Sequence, residues 1–150
     1  VSKRTEFNDA LKTAMKGGDQ VAVGTIRLIN AGLKQKDIDA RPSGKEVTDA
    51  DILSMLQGMI KQRKESITIF RDNKREDLAT KEEAEVKVIE RFLPAQKSDA
   101  EVEAIVVKLI AETGAASQKD MGKVMGALKA QYAGQLDMGK AGAVVKQKLG

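Results

Sequence analysis

The segment Thr48–Pro94, "TDADILSMLQGMIKQRKESITIFRDNKREDLATKEEAEVKVIERFLP", decides the fold. Leu53, Leu56, Ile60, Ile67 and Phe70 recur mostly at helical spacing, and so do Leu78, Val86, Ile89 and Phe92. Thr48 followed by Asp51 is a capping-box-like start, and Asn73 with Glu76 signals a second helix start. Proline disfavours helix in the residue before it, so the second helix ends at "LP", Leu93–Pro94. So few residues lie between the two helices that they must fold back as an antiparallel hairpin. A turn centred near Asn73 sets Arg63 opposite Glu83, and the basic run Lys61–Lys64 opposite the acidic run Lys81–Glu85. Exposed ion pairs contribute only ~0.2–1 kcal/mol each, so this complementarity sets register more than stability.

The flanking segments read the same way. A first helix is expected from Arg4 to Lys16, with Phe7, Leu11 and Met15 spaced by four, and Gly17–Gly18 stops it. Asp19 caps a second helix, whose face is traced by Val23, Ile26 or Arg27, Ile29 or Asn30, and Leu33. "ARPSG", Ala40–Gly44, breaks the chain. After Pro94, Ser98 and Glu101 form a capping box for a helix carrying Val102, Ile105, Val106, Leu109 and Ile110, with Gly114 as its C-cap. Ser117 and Asp120 open the next helix, Gly134 closes it, and Asp137 caps a last one running to Leu149. The expected architecture is all-α in two pieces: a helical N-terminal domain over residues 1–94 and a three-helix domain over 95–150.

Composition limits the chemistry. The 150 residues contain no Cys and no His, which removes thiol and Ser–His–Asp nucleophilic mechanisms and the commonest metal ligands. No catalytic residue, metal or cofactor is expected. Carboxylates such as Asp49 and Asp51, or Glu82, Glu83 and Glu85, read as a solvated or ion-paired face rather than a Mg²⁺ site. Only Phe7, Phe70, Phe92 and Tyr132 are aromatic, too few for a base-stacking platform. No apolar run approaches the ~20 residues that span a bilayer, and the start of the chain is charged rather than signal-like. A cytoplasmic protein without membrane association is therefore expected.

The net charge of +4 is confined to residues 114–150, where six lysines face Asp120 and Asp137; residues 1–113 are balanced. Within that basic quarter lies "SQKDMGKVMGAL", Ser117–Leu128. Met121, Val124, Met125, Leu128 and Tyr132 share one helix side, while Gly122, Gly126 and Ala130 line the other beside Lys119 and Lys123. Each interior glycine costs a helix ~1 kcal/mol relative to alanine. Two readings explain that cost: a neighbouring helix packs closely on the glycines, or the face is kept smooth and basic for an anionic partner.

Four segments, "KQRKESI", "REDLATKEEAEVKVIERFLP", "ETGAASQKDMGKVMGAL" and "GKAGAVVKQKLG", resemble in order the GatB/YqeY family, specifically its stand-alone YqeY-like members. The resemblance runs from about Phe7 to Leu149. It implies an all-α protein whose small C-terminal domain is similar to the tail of the B subunit of tRNA-dependent amidotransferases. In those enzymes the tail helps to hold tRNA, while phosphorylation and amidation occur in a separate domain. The implied role is therefore that of an accessory protein, tRNA-binding or associated with tRNA enzymes, that is not catalytic alone. The family label of carbon–nitrogen ligase with glutamine as amido-N-donor accompanies the resemblance. Carried over residue by residue, Gly122 and Lys123 fall in the "DMGKVM" core and Gly139 and Lys140 in a closing "GK" element; together with Lys119 and Gly126 of the glycine face they are the expected contact residues. The "AGA" that follows Lys140 departs from the family tails. The implied partners are tRNA, bound weakly and with steep salt dependence, and an amidotransferase or aminoacyl-tRNA synthetase; no DNA partner is expected. The alternative is a protein-interaction module that docks on such an enzyme without touching RNA.

Overall fold

A computed structural model describes residues 2–150. They form α1 (Lys3–Gly17), α2 (Gln20–Ala40), α3 (Asp49–Asp72), α4 (Glu76–Glu90), α5 (Asp99–Thr113), α6 (Met121–Tyr132) and α7 (Met138–Leu149). Short 3-10 turns cover Arg41–Ser43 and Gln118–Asp120, and no strand occurs among the described residues. The fold is all-α, as expected. The chain separates into two compact units, one ending at Leu93 and one spanning Pro94–Gly150, each with its own core.

In the first unit the caps stand where the side chains placed them. The Thr48 hydroxyl accepts the Asp51 amide at 3.2 Å, and the Asp51 carboxylate accepts the Thr48 amide at 3.0 Å. Asp19 accepts the Ala22 amide at 3.1 Å to start α2. Caps of this kind are each worth ~1 kcal/mol. The core joins Phe7, Ile26, Ile29, Ile52, Leu56 and Ile89, all fully buried. Phe7 meets Phe92 edge to face, with centroids 5.0 Å apart, fastening α1 to the end of the hairpin. The Lys3 ammonium donates to the Phe92 carbonyl at 2.7 Å and secures the same corner.

Several finer expectations are corrected. Met15 is 55% exposed, and Ala14 takes its place in the core. Eight residues carry a helix about 80° past two full turns, whereas seven bring it almost back into line. For α3 the fully buried residue at the start is Ile52 rather than Leu53, which is half-buried. Asn73 does not start α4; its amide donates to the Ile69 carbonyl at 2.8 Å and closes α3, and α4 begins without a side-chain cap. The break at Ala40–Gly44 is a 3-10 turn in which Arg41, before the proline, stays helical. Gly44, at φ 69°, supplies the left-handed residue that ends the turn.

The charge complementarity across the α3–α4 hairpin is present, with a shifted register. Arg63 meets Glu85 at 3.1 Å and Glu82 at 3.8 Å rather than Glu83. Glu83 pairs instead with Arg71, which also holds Glu76 at 3.0 Å. Asp51 works as a cap, and Glu82, Glu83 and Glu85 are engaged by arginines. The described residues hold no cluster of His, Cys, Asp or Glu able to take a metal ion. No helix among them is long and apolar enough to cross a membrane.

Candidate functional site

The second unit is built from α5, α6 and α7 around Val106, Leu109, Val124, Leu128, Ala141 and Val145, all fully buried. Ser98 and Glu101 form the expected capping box, and Gly114 ends α5 at φ 68°. Val124 and Leu128 point inward, with Met121, Met125 and Tyr132 packed at the edge of the core. That places the opposite side of α6 outward. Gly122, Gly126 and Ala130 are exposed, and a Cβ added at either glycine would meet nothing within 4 Å. Neither α5 nor α7 packs on them, so they are not packing positions within the C-terminal unit. The close approach between α6 and α7 occurs elsewhere: a Cβ on Gly142 would lie 3.7 Å from the Met121 and Met125 methyls.

The lysines around this open face differ in their surroundings. Lys119 is exposed in the 3-10 turn that leads into α6. Lys123 lies 3.8 Å from the Asp120 carboxylate, a loose pair that leaves the ammonium largely in water. Asp120 is itself occupied, since it accepts the backbone amides of Ala116 at 3.0 Å and Ser117 at 3.4 Å. Those bonds, the Ala116 one first, hold its carboxyl below the usual aspartate range. The start of α6 therefore carries a fixed negative charge as well as two lysines.

Gly139 and Lys140 have a local explanation. Asp137 accepts their amides at 2.8 and 3.1 Å and caps α7. A Cβ on Gly139 would meet the Asp137 carboxylate oxygen at 3.1 Å, so the glycine is suited to that cap. These amides are consumed by Asp137 and are not free donors for a ligand. The Lys140 side chain is exposed. The far end of α7 lies beside the start of α6, because a Cβ on Gly150 would meet the Gln118 side-chain nitrogen at 3.2 Å. About 15 Å of helix thus separates Lys140 from the Lys119 end. The fold groups Lys119, Lys123, Gly122 and Gly126, and leaves Gly139 and Lys140 apart.

It also brings Lys146 and Lys148, in the last turn of α7, to the Lys119 end. Lys148 bonds Glu103 of α5 at 2.9 Å, while Lys146 is exposed. The placement of Lys146 was not read from the sequence, where it counts only among the six lysines of the basic quarter. The short α6–α7 connection, which keeps the two helices adjacent, is the signal that could have found it.

Known proteins share this chain's pattern. The family model described as "Yqey-like protein" matches residues 4–149. A Lachancea thermotolerans protein named "Altered inheritance of mitochondria protein 41, mitochondrial" is 38% identical over 104 residues, covering 68% of this chain and 54% of the relative. The protein of the same name from Vanderwaltozyma polyspora is 34% identical over 117 residues, 74% of this chain and 62% of its own length. That from Pyrenophora tritici-repentis is 34% identical over 125 residues, covering 79% and 67%. The chain thus spans little more than half of the first two relatives. Their mitochondrial names overturn the expected cytoplasmic location. That expectation rested on a charged, signal-free start, which carries no weight in a sequence matching only part of its relatives' length.

Proposed function

This chain belongs to the YqeY-like protein family, and from that premise we propose that its C-terminal unit is a charge-led docking module for tRNA, non-catalytic by itself. One observation carries the reading: α6 turns two glycines to open solvent beside Lys119 and Lys123, where nothing among the described residues uses the space. Alanine there would cost no contact and would add helix stability, so the bare backbone makes sense as room for another molecule. Lys146 extends the same edge. Ammonium groups around an open backbone suit phosphate oxygens, which position an RNA without reading its bases. Shape recognition of a folded RNA follows, with weak affinity that falls steeply as salt rises. Lys140 stands apart from this group and would serve as a separate contact on a large ligand.

A second reading has the same face dock onto an amidotransferase or aminoacyl-tRNA synthetase with no RNA contact. The pairing of Lys123 with Asp120 favours it, because a mixed-charge edge suits a protein surface as well as a phosphate backbone. The experiment that separates the two is titration of labelled tRNA with the pure protein at low and physiological salt, beside the Lys119→Ala/Lys123→Ala variant. Salt-sensitive binding that the folded variant loses is the expected result. An absence of binding at both salts would refute the RNA reading and leave the protein-docking one.

A further inference from the structure

The N-terminal unit carries an unpartnered surface of a different kind. Along α2, Val21 and Leu28 stand one above the other two turns apart, and they are 45% and 50% exposed. Gly24 and Ala31, also exposed, lie beside them on the same side of the helix, giving a low apolar floor between the two larger side chains. At the start of α2 the floor opens into a concavity of about 430 Å³ bounded by Met15, Gly18, Gln20, Gly24 and Arg27. Met15, at the end of α1, borders it with more than half of its surface exposed. This side is separate from the face of α2 that packs Ile26, Ile29 and Leu33 into the core.

Charge indicates what covers it. Arg27 and Lys34, seven residues apart, form a basic row along the outer edge of the apolar strip, and both are exposed. Arg4, Arg63, Arg71 and Arg75 in the same unit are each held by a carboxylate. Arg27 and Lys34 have no such partner among the described residues. A second copy laid antiparallel across the strip, with Leu28 over Ala31, would bring Arg27 of each copy against Lys34 of the other, a like-charge clash. A helix with acidic side chains along one flank would meet no such clash.

We propose that α2, with the end of α1, is a groove for an amphipathic helix of another protein. Its apolar face would cover Val21, Gly24, Leu28 and Ala31, a large apolar side chain would enter the concavity at Met15, and carboxylates spaced seven residues apart would pair with Arg27 and Lys34. This interaction is independent of the docking face on α6. A low floor of Gly and Ala between larger side chains suits a helix ridge, whereas a bilayer surface would need protruding apolar groups.

The test uses the full chain and two labelled helical peptides with the same leucine face, one with glutamates and one with lysines at the flanking positions seven apart. The glutamate peptide should bind, with chemical-shift changes centred on α2, and the lysine peptide should bind roughly fivefold or more weakly. Arg27→Glu/Lys34→Glu should reverse that preference, and Leu28→Asp should abolish binding while the circular dichroism of the chain stays unchanged. Reversal on charge exchange is an outcome that general stickiness of an apolar patch would not produce. Equal binding of the two peptides, or binding that survives Leu28→Asp, overturns the proposal. So does concentration-dependent dimerisation that Leu28→Asp removes, which would make the occupant a second copy. Binding to vesicles of anionic lipid that the same variant removes, in the absence of peptide binding, would make the occupant a membrane surface and overturn it equally.

Discussion

Glu82, on α4 and beside Arg63 of α3, has opposing influences working on its proton. Burial pushes its carboxyl above the usual glutamate range, the neighbouring Glu85 pushes it further, and Arg63 opposes both. A carboxyl whose folded value is raised binds its proton more tightly in the folded chain than in the unfolded one. Its ionised form therefore costs the hairpin stability near neutral pH. That cost disappears as pH falls through the folded value towards the unfolded one near about 4. Glu82→Gln should accordingly raise the melting temperature at neutral pH, with an advantage that shrinks on acidification, as thermal scans from neutral pH to about pH 4 would show. Arg63 keeps Glu85 at 3.1 Å in that variant, so no guanidinium is stranded. Acidic residues at the caps respond in the opposite sense. Glu101, bonded first to the Ser98 backbone, and Asp120 both lie below their usual ranges, so their contribution is present above the unfolded value and is lost as pH drops through the folded one.

At the scale of the element, α6 is a helix less stable than its length allows. Gly122 and Gly126 each forgo ~0.5–1 kcal/mol relative to alanine. A methyl group at either position would meet nothing within 4 Å. Gly122→Ala/Gly126→Ala should therefore stabilise the C-terminal unit by ~1–2 kcal/mol in urea unfolding. If the bare face serves docking, the same variant should lose affinity for tRNA while gaining stability. A gain in stability with unchanged affinity would assign the contact to the lysines alone. The glycine repeat was legible in the sequence, but the choice between a packed and an open face was not. Both surroundings accept the same spacing, and only the position of α5 and α7 relative to α6 distinguishes them.

For the whole molecule, the two cores divide the stability. The C-terminal unit is small, and domains of its size bury little surface per residue, so it is the more easily lost of the two. Leu128, fully buried among Val106, Leu109 and Val145, is one of its central side chains. Leu128→Ala should cost that unit about 2–5 kcal/mol through lost burial and the cavity left behind. Hydrogen exchange would then report faster opening across α5, α6 and α7, with protection of α3 and α4 unchanged. Faster exchange in both units would show that they unfold together.

The helices, most of their caps and the all-α class were determined by the sequence alone, because period, Ser, Thr and Asp caps and Gly and Pro stops act within a few residues of chain. Thr48 with Asp51, Asp19, Ser98 with Glu101, and Asp137 all cap where their side chains indicated. The exceptions are instructive. Asn73 bonds backward to Ile69, and Met15 rotates off the buried face that Ala14 completes. Pairings between elements were decided by the tertiary structure: Arg63 with Glu85, Lys148 with Glu103, Lys146 beside the Lys119 end, and the exposed side of α2. Local chain chemistry sets where a helix begins and ends, but which of its faces remains open depends on how the helices of a unit cover one another's apolar sides.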